Sequence, residues 1–192
     1  MSTQLFINAH IATGMPGSTA AETTAIQDIL VEDGKFISIA PHLKATLEAQ
    51  GKDMASVEVV DLGGKLVCPP FCDTHLHLDY VFTARKPGAV NESGTLFEGI
   101  QRWSETKADL TVDEIKERAK IGIAKEMRHG VQFIRSHADV TDPNLTSLKA
   151  LLELKEELKD TVTLQIVSFP QEGMYSYEGP HGESGADWLR KA

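Results

Sequence analysis

Two consecutive prolines, Pro69 and Pro70, separate two hydrophobic patterns that no single sheet can share. Upstream, short β-branched and aromatic runs punctuated by glycine and aspartate predict strands. These are residues 5–11, a hairpin over 26–40 turned by Asp33-Gly34, and a strand pair at 57–61 and 65–68 around Leu62-Gly63-Gly64. Residues 14–24 read as a small-residue loop and 45–54 as a short helix. Downstream, strands alternate with amphipathic helices, the pattern of βα units on a parallel sheet.

In that second part, residues 71–78 predict a strand. Thr111-Val112-Asp113-Glu114 is a capping box, followed by Ile115, Ala119, Ile123 and Met127 on one helical face, with Gly130 just past the end. A strand over 131–140 comes next. Asp142-Pro143 opens a further helix whose stripe is Leu145, Leu148, Leu152 and Leu158, and a strand over 162–169 ends at Pro170. The polar, glycine-rich end finishes in what reads as one turn of a helix. The expected domains are therefore a β-module at 1–69, a βα region at 70–177 and a tail at 178–192.

Composition narrows the function classes. Of 192 residues, 19 are Lys or Arg and 28 Asp or Glu, for a net charge of −9. No wide basic field is available to neutralise phosphates, which argues against nucleic acid polymers as partners. No run approaches the roughly 18 apolar residues of a membrane span, and the first residues lack a basic region leading into an apolar one, so a soluble cytoplasmic protein without a membrane partner is expected. The two cysteines, Cys68 and Cys72, are too few for a disulfide framework and read as buried thiols around the proline turn.

The sharpest chemical feature is Asp73-Thr74-His75-Leu76-His77-Leu78-Asp79, where a strand runs out into a loop. A side-chain period of 2 puts His75 and His77 on one face about 7 Å apart, close enough to converge on one cation. The alternative is two polar residues at a strand end; the proline lead-in, Asp79 and the preceding β-module favour metal. On the strand at 131–140, Arg135, His137 and Asp139 share a face with Phe133. His137 and Asp139 are candidates either for support of the metal ligands and substrate or for an internal hydrogen-bonded pair. His10, His42, His129 and His181 have no partner at metal spacing, and Glu172 reads as a loop carboxylate.

Residues 68–79, together with Ser93-Gly94-Thr95-Leu96-Phe97-Glu98-Gly99-Ile100, Arg135-Ser136-His137-Ala138-Asp139-Val140 and Phe169-Pro170-Gln171-Glu172-Gly173, resemble the amidohydrolase superfamily, and within it the cytosine deaminase branch. The resemblance runs over about residues 4–177. It implies an α/β fold, half of a (β/α)8 TIM barrel preceded by a small β-sandwich-type module. It further implies that His75 and His77 bind one divalent ion, Fe2+ or Zn2+, that Gln171 hydrogen-bonds the pyrimidine edge, and that Leu96 lines the pocket. A divalent ion acidifies bound water and so supplies a nucleophile against the ring carbon that bears an amino group. The Gln171 amide offers both a donor and an acceptor, which matches an adjacent ring nitrogen and carbonyl. The expected partner is a small nucleobase-like substrate; assembly into a homo-oligomer stays open.

The chain departs from that family in extent. A complete barrel takes about 250 residues, and residues 71–192 supply about half of that. By the family pattern, a metal-binding histidine with its nearby glutamate, a further histidine and a late metal-binding aspartate have no counterpart here. The acid-base residues are expected outside these 192 residues, and the chain alone is expected to be inactive. Two other readings stand beside an N-terminal portion of a cytosine-deaminase-like enzyme: an amidohydrolase for another cyclic amidine or aminotriazine, and a non-catalytic half-barrel that binds a partner.

Overall fold

The structure, a computed structural model, describes residues 2–11 and 26–192, so the predicted loop at 14–24 lies outside the described residues. It divides into two compact units, Met1–Pro69 and Pro70–Ala192.

The first unit is a sheet of β1 (Thr3–Ile11), β2 (Ile26–Glu32), β3 (Lys35–Ala40), β4 (Glu58–Asp61) and β5 (Leu66–Val67), with helix α1 (Leu43–Ala49). The order is β3-β2-β1-β4, and β5 also pairs with β1. Asp33 and Gly34 both take positive φ, 48° and 77°, which matches the right-handed twist of the hairpin they join. The expected pairing of residues 57–61 with 65–68 does not form. Instead β4 and β5 both run parallel to β1, with Gln4 opposite Glu58 and His10 opposite Leu66. The cause is local: the Leu62 and Gly64 amides donate to the Ile7 and Asn8 carbonyls at 2.9 and 2.8 Å, so the chain between the two strands stays on the β1 edge. The predicted helix at 45–54 is also shorter and earlier, and a 3-10 turn at Met54–Ser56, capped by Asp53, follows after a break at 50–53. Leu5, Leu30, Leu43 and Val57 form the core of this unit.

The second unit holds β6 (Phe71–Leu76), α2 (Leu96–Lys107), α3 (Val112–Arg128), β7 (Val131–Asp139), α4 (Thr146–Glu157), β8 (Thr163–Phe169) and α5 (Gly185–Lys191). The strands form a three-stranded parallel sheet in the order β6-β7-β8, the βα alternation expected of part of a barrel. Thr111 and Glu114 cap α3 reciprocally, and Ile115, Ala119 and Ile123 are buried. They pack with Ile134, Ala138, Leu151, Leu154 and Leu164 into the core of this unit. The α4 stripe is Leu148, Leu151 and Leu154, whereas Leu152, expected inside, is 47% exposed because it falls about 100° round from Leu151.

One expectation needs correction and two features add to the sequence reading. Cys68 and Cys72 are both exposed, not buried. Cys72 stands beside Phe133 in the register and lines an open cleft with Thr74, Arg135, Thr163 and Gln165. Helix α2 stands where no element is expected, although Thr95-Leu96-Phe97-Glu98 carries the start signal and the Thr95 hydroxyl accepts the Glu98 amide. Residues 178–192 belong to the second unit: Ser184 and Asp187 form a capping box, Trp188 is buried, and the Ala186 amide donates to the Met174 carbonyl. Among the described residues, no helix is long and apolar enough to cross a membrane.

Candidate metal centre and pocket

The parallel sheet ends in a cluster of imidazoles. A register shift in the β6-β7 pairing falls between Asp73 and Leu76, and His77 lies just beyond the strand. Such irregularities re-aim side chains at sheet ends. The His75 and His77 ring centroids are 5.2 Å apart, and the His137 ring, from β7, stacks on His75 at 4.3 Å and lies 5.6 Å from His77. His77 Nδ1 is 3.1 Å from the His137 carbonyl oxygen. That contact assigns the proton to Nδ1 and leaves the Nε2 lone pair open, the orientation in which a histidine serves a cation. Burial, then the neighbouring His75 and His137, lowers the His77 pKa and favours the neutral ligand form.

These donors fit a divalent cation as part of its ligand set. The imidazoles of His75 and His77 converge, and His137 Nδ1 is buried without a protein partner beside them. Among the described residues, no group of three or more His, Cys, Asp or Glu is arranged to hold an ion. A full coordination sphere needs ligands beyond these two.

A line of rings leads from the cluster to a cavity. His77 stacks on Tyr80 at 4.7 Å, and Tyr80 lies 4.9 Å from Trp103 of α2. Tyr80 and Trp103 line a cavity of about 340 Å³ together with Leu96, Ile100 and Gln171. Burial, aided by Asp79 and Asp139, pushes the Tyr80 phenol up to about 12, so it remains protonated. Gln171 Oε1 is buried and has no protein partner. An unmet acceptor in a cavity wall is a place for a ligand's donor. His75, His77, His137, Leu96, Asp139 and Gln171 all fall at or after the carboxyl ends of the strands or on α2.

Asp139 is a hub. Its Oδ2 accepts Trp103 Nε1 at 2.7 Å and Lys107 Nζ at 3.0 Å, and its Oδ1 accepts the Thr141 amide at 2.8 Å, the Thr141 hydroxyl at 2.6 Å and the Gln171 amide at 3.3 Å. With its oxygens so occupied, it organises the site and carries no free acceptor. The Asp139 amide in turn donates to Asp79 Oδ2 at 2.8 Å. Asp79 is fully buried, and burial raises its carboxyl to about 7. Lys107, unmarked in the sequence, joins Asp139 to Glu172, which also accepts from Ser104 Oγ at 3.0 Å. No sequence spacing signals that ion pair, because its members come from α2, β7 and the loop after β8.

Known proteins resemble this chain in sequence and in fold. The sequence model described as the amidohydrolase family matches residues 58–192. N-isopropylammelide isopropyl amidohydrolase of Pseudomonas sp. (strain ADP) is 30% identical over 159 residues, which is 81% of this chain and 37% of that protein. Pterin deaminase of Rhizobium rhizogenes is 28% identical over 152 residues, 77% of this chain and 32% of its own length. Among solved structures, 5-methylcytosine deaminase from Klebsiella pneumoniae, liganded with 5-fluorocytosine, superposes with a TM-score of 0.77 at 37% identity, covering 97% of this chain and 40% of that one. The chain thus spans well under half the length of these relatives.

Proposed function

The chain belongs to the amidohydrolase family, and we propose that it is the N-terminal portion of a metal-dependent deaminase that hydrolyses the exocyclic C–N bond of cytosine or a related pyrimidine. The observation that carries this reading is Gln171, its Oε1 buried and unpartnered, in the lining of a cavity that also includes Tyr80, whose ring stacks on His77. His75 and His77 would hold the cation, Fe2+ or Zn2+. When bound, a divalent cation supplies the Lewis acidity that brings ionisation of water towards neutral pH.

The chain's own groups then account for binding and orientation. Leu96, Ile100 and Trp103 give a flat ring an apolar wall, and the Gln171 side chain provides an acceptor and a donor to adjacent edge atoms of that ring. The His137 carbonyl holds the His77 ring in its ligating tautomer, and the His137 ring stacks on His75. Asp139 fixes the Gln171 backbone. None of these groups is a free carboxylate able to shuttle a proton at the ring, so that role falls to residues beyond the chain, and the chain alone should turn over cytosine negligibly.

A second reading, an aminotriazine or another cyclic amidine as substrate, is favoured by the 30% identity to the N-isopropylammelide hydrolase. A panel of cytosine, 5-methylcytosine, N-isopropylammelide and pterin, assayed by amine or ammonia release with the full-length protein and Fe2+ or Zn2+, separates the two. Preference for either pyrimidine supports the proposal. Turnover of N-isopropylammelide alone replaces it with the second reading, and turnover of none removes both.

A further inference from the structure

The network around Lys107 reaches beyond the metal donors and the pocket wall. Lys107 closes α2 with its side chain only 11% exposed, against Asp139 at 1% and Glu172 at 22%. Its Nζ donates to Asp139 Oδ2 at 3.0 Å, the Thr141 carbonyl at 2.7 Å and the Thr141 hydroxyl at 3.0 Å, and it pairs still more closely with Glu172. One ammonium therefore stands between two carboxylates. We propose that Lys107 is a positioning residue for recognition of the substrate ring: by holding Asp139 and Glu172 together it locks the Gln171-Glu172 segment so that the Gln171 amide faces the cavity. This rests on the reading of Gln171 as the ring-binding residue.

The argument is one of charge and connectivity. Gln171 is held on both sides by this network, through its own amide to Asp139 Oδ1 and through the neighbouring Glu172 carboxylate to Lys107. Beyond it the loop turns at once, with Gly173 at φ 99° and its amide on the Pro170 carbonyl. Without the ammonium, two carboxylates would face each other in a poorly hydrated space, and the one with a route to water is Glu172. Its departure would draw Gln171 with it, since only Ser104 would still hold the Glu172 side chain. Every Nζ proton is engaged, so Lys107 has none to offer a substrate. Its partners in the network do not include His75 or His77, so metal content is predicted to be independent of it.

The test has two arms. In the 192-residue chain, Lys107→Met should speed hydrogen exchange of the 171–173 amides by about tenfold while leaving β6 protection unchanged. In the full-length protein, Lys107→Met should raise KM for cytosine about tenfold with kcat within about twofold and metal content intact. Glu172→Gln should do the same more weakly, and Lys107→Arg should restore most of the loss. Faster exchange throughout the chain, with kcat and KM falling out together and no rescue by arginine, would make Lys107 a general support and overturn the proposal; Glu172→Gln keeps the test alive if Lys107→Met does not fold. Gln171→Ala run in parallel separates the two layers. A raised KM there with none in the Lys107 and Glu172 variants overturns the positioning role alone, and an unchanged KM in Gln171→Ala overturns the ring-binding reading beneath it.

Discussion

Substitutions at His75 or His77 and at Gln171 should fail in different ways. In the full-length protein, His75→Ala or His77→Ala is expected to lose most bound metal and essentially all activity, because one imidazole leaves the ligand set. Gln171→Ala should keep its metal and weaken handling of the ring by about 1–3 kcal/mol, the cost of leaving polar ring edges unpaired. Metal analysis beside kinetics checks both; a full metal complement in the histidine variants would refute the ligand assignment. At this scale the sequence exposed what is local. His75-x-His77 could be read because strand periodicity brings i and i+2 together, although the rings converge to 5.2 Å through a register shift and a residue beyond the strand. Lys107 could not be read: its partners lie 32 and 65 residues away. Cys72 lies exposed on an open cleft, because the sequence does not say which face of β6 the helices cover.

The elements follow from their end signals, and their stability should answer to them. Thr111 and Glu114 satisfy each other's backbone amides at the start of α3, so Thr111→Ala should cost about 1 kcal/mol in a denaturant melt. The Thr95 cap of α2 is built differently. Glu98 turns back to accept the Ser93 hydroxyl and then the Ser93 and Glu92 amides, and these hydrogen bonds lower its carboxyl to about 2 from 4.5. A folded-state pKa below the unfolded one stabilises above the unfolded value and is lost as pH falls through the folded value. Protection of the Ser93 amide should therefore persist below pH 4.5 and fade towards about 2, with hydrogen exchange as the measurement. Glu98→Gln should abolish that dependence, and unchanged protection across the window would show that the carboxylate does not hold the loop. The capping signatures were equally legible at Thr95 and Thr111. Leu96, Ile100 and Trp103 follow the Thr95 cap at i, i+4 and i+7, a stripe short enough to read as a loop, and of its residues only Trp103 is buried while Leu96 is 73% exposed.

The whole second unit is an open arrangement, and its behaviour alone should show it. Parallel sheets are normally covered on both faces. Here α3 and α4 cover one, where Ile134, Ala138 and Leu164 are buried, while Phe133 is 45% and Phe71 58% exposed, and Cys72, Thr74, Arg135 and Gln165 line an open cleft. Among the described residues, β6 and β8 pair only with β7, so each carries one unpaired edge. The alternating periodicities order the strands and helices, but they do not say what covers the second face of the sheet. Unpaired strand edges next to exposed aromatic surface promote association. The 192-residue chain should accordingly bind a hydrophobic dye and show concentration-dependent sedimentation. Phe133→Glu should reduce both, because a carboxylate on the open face opposes contact without touching the α3–α4 core. A dye-silent, monodisperse monomer at high concentration would mean that this face is covered in solution from within the chain.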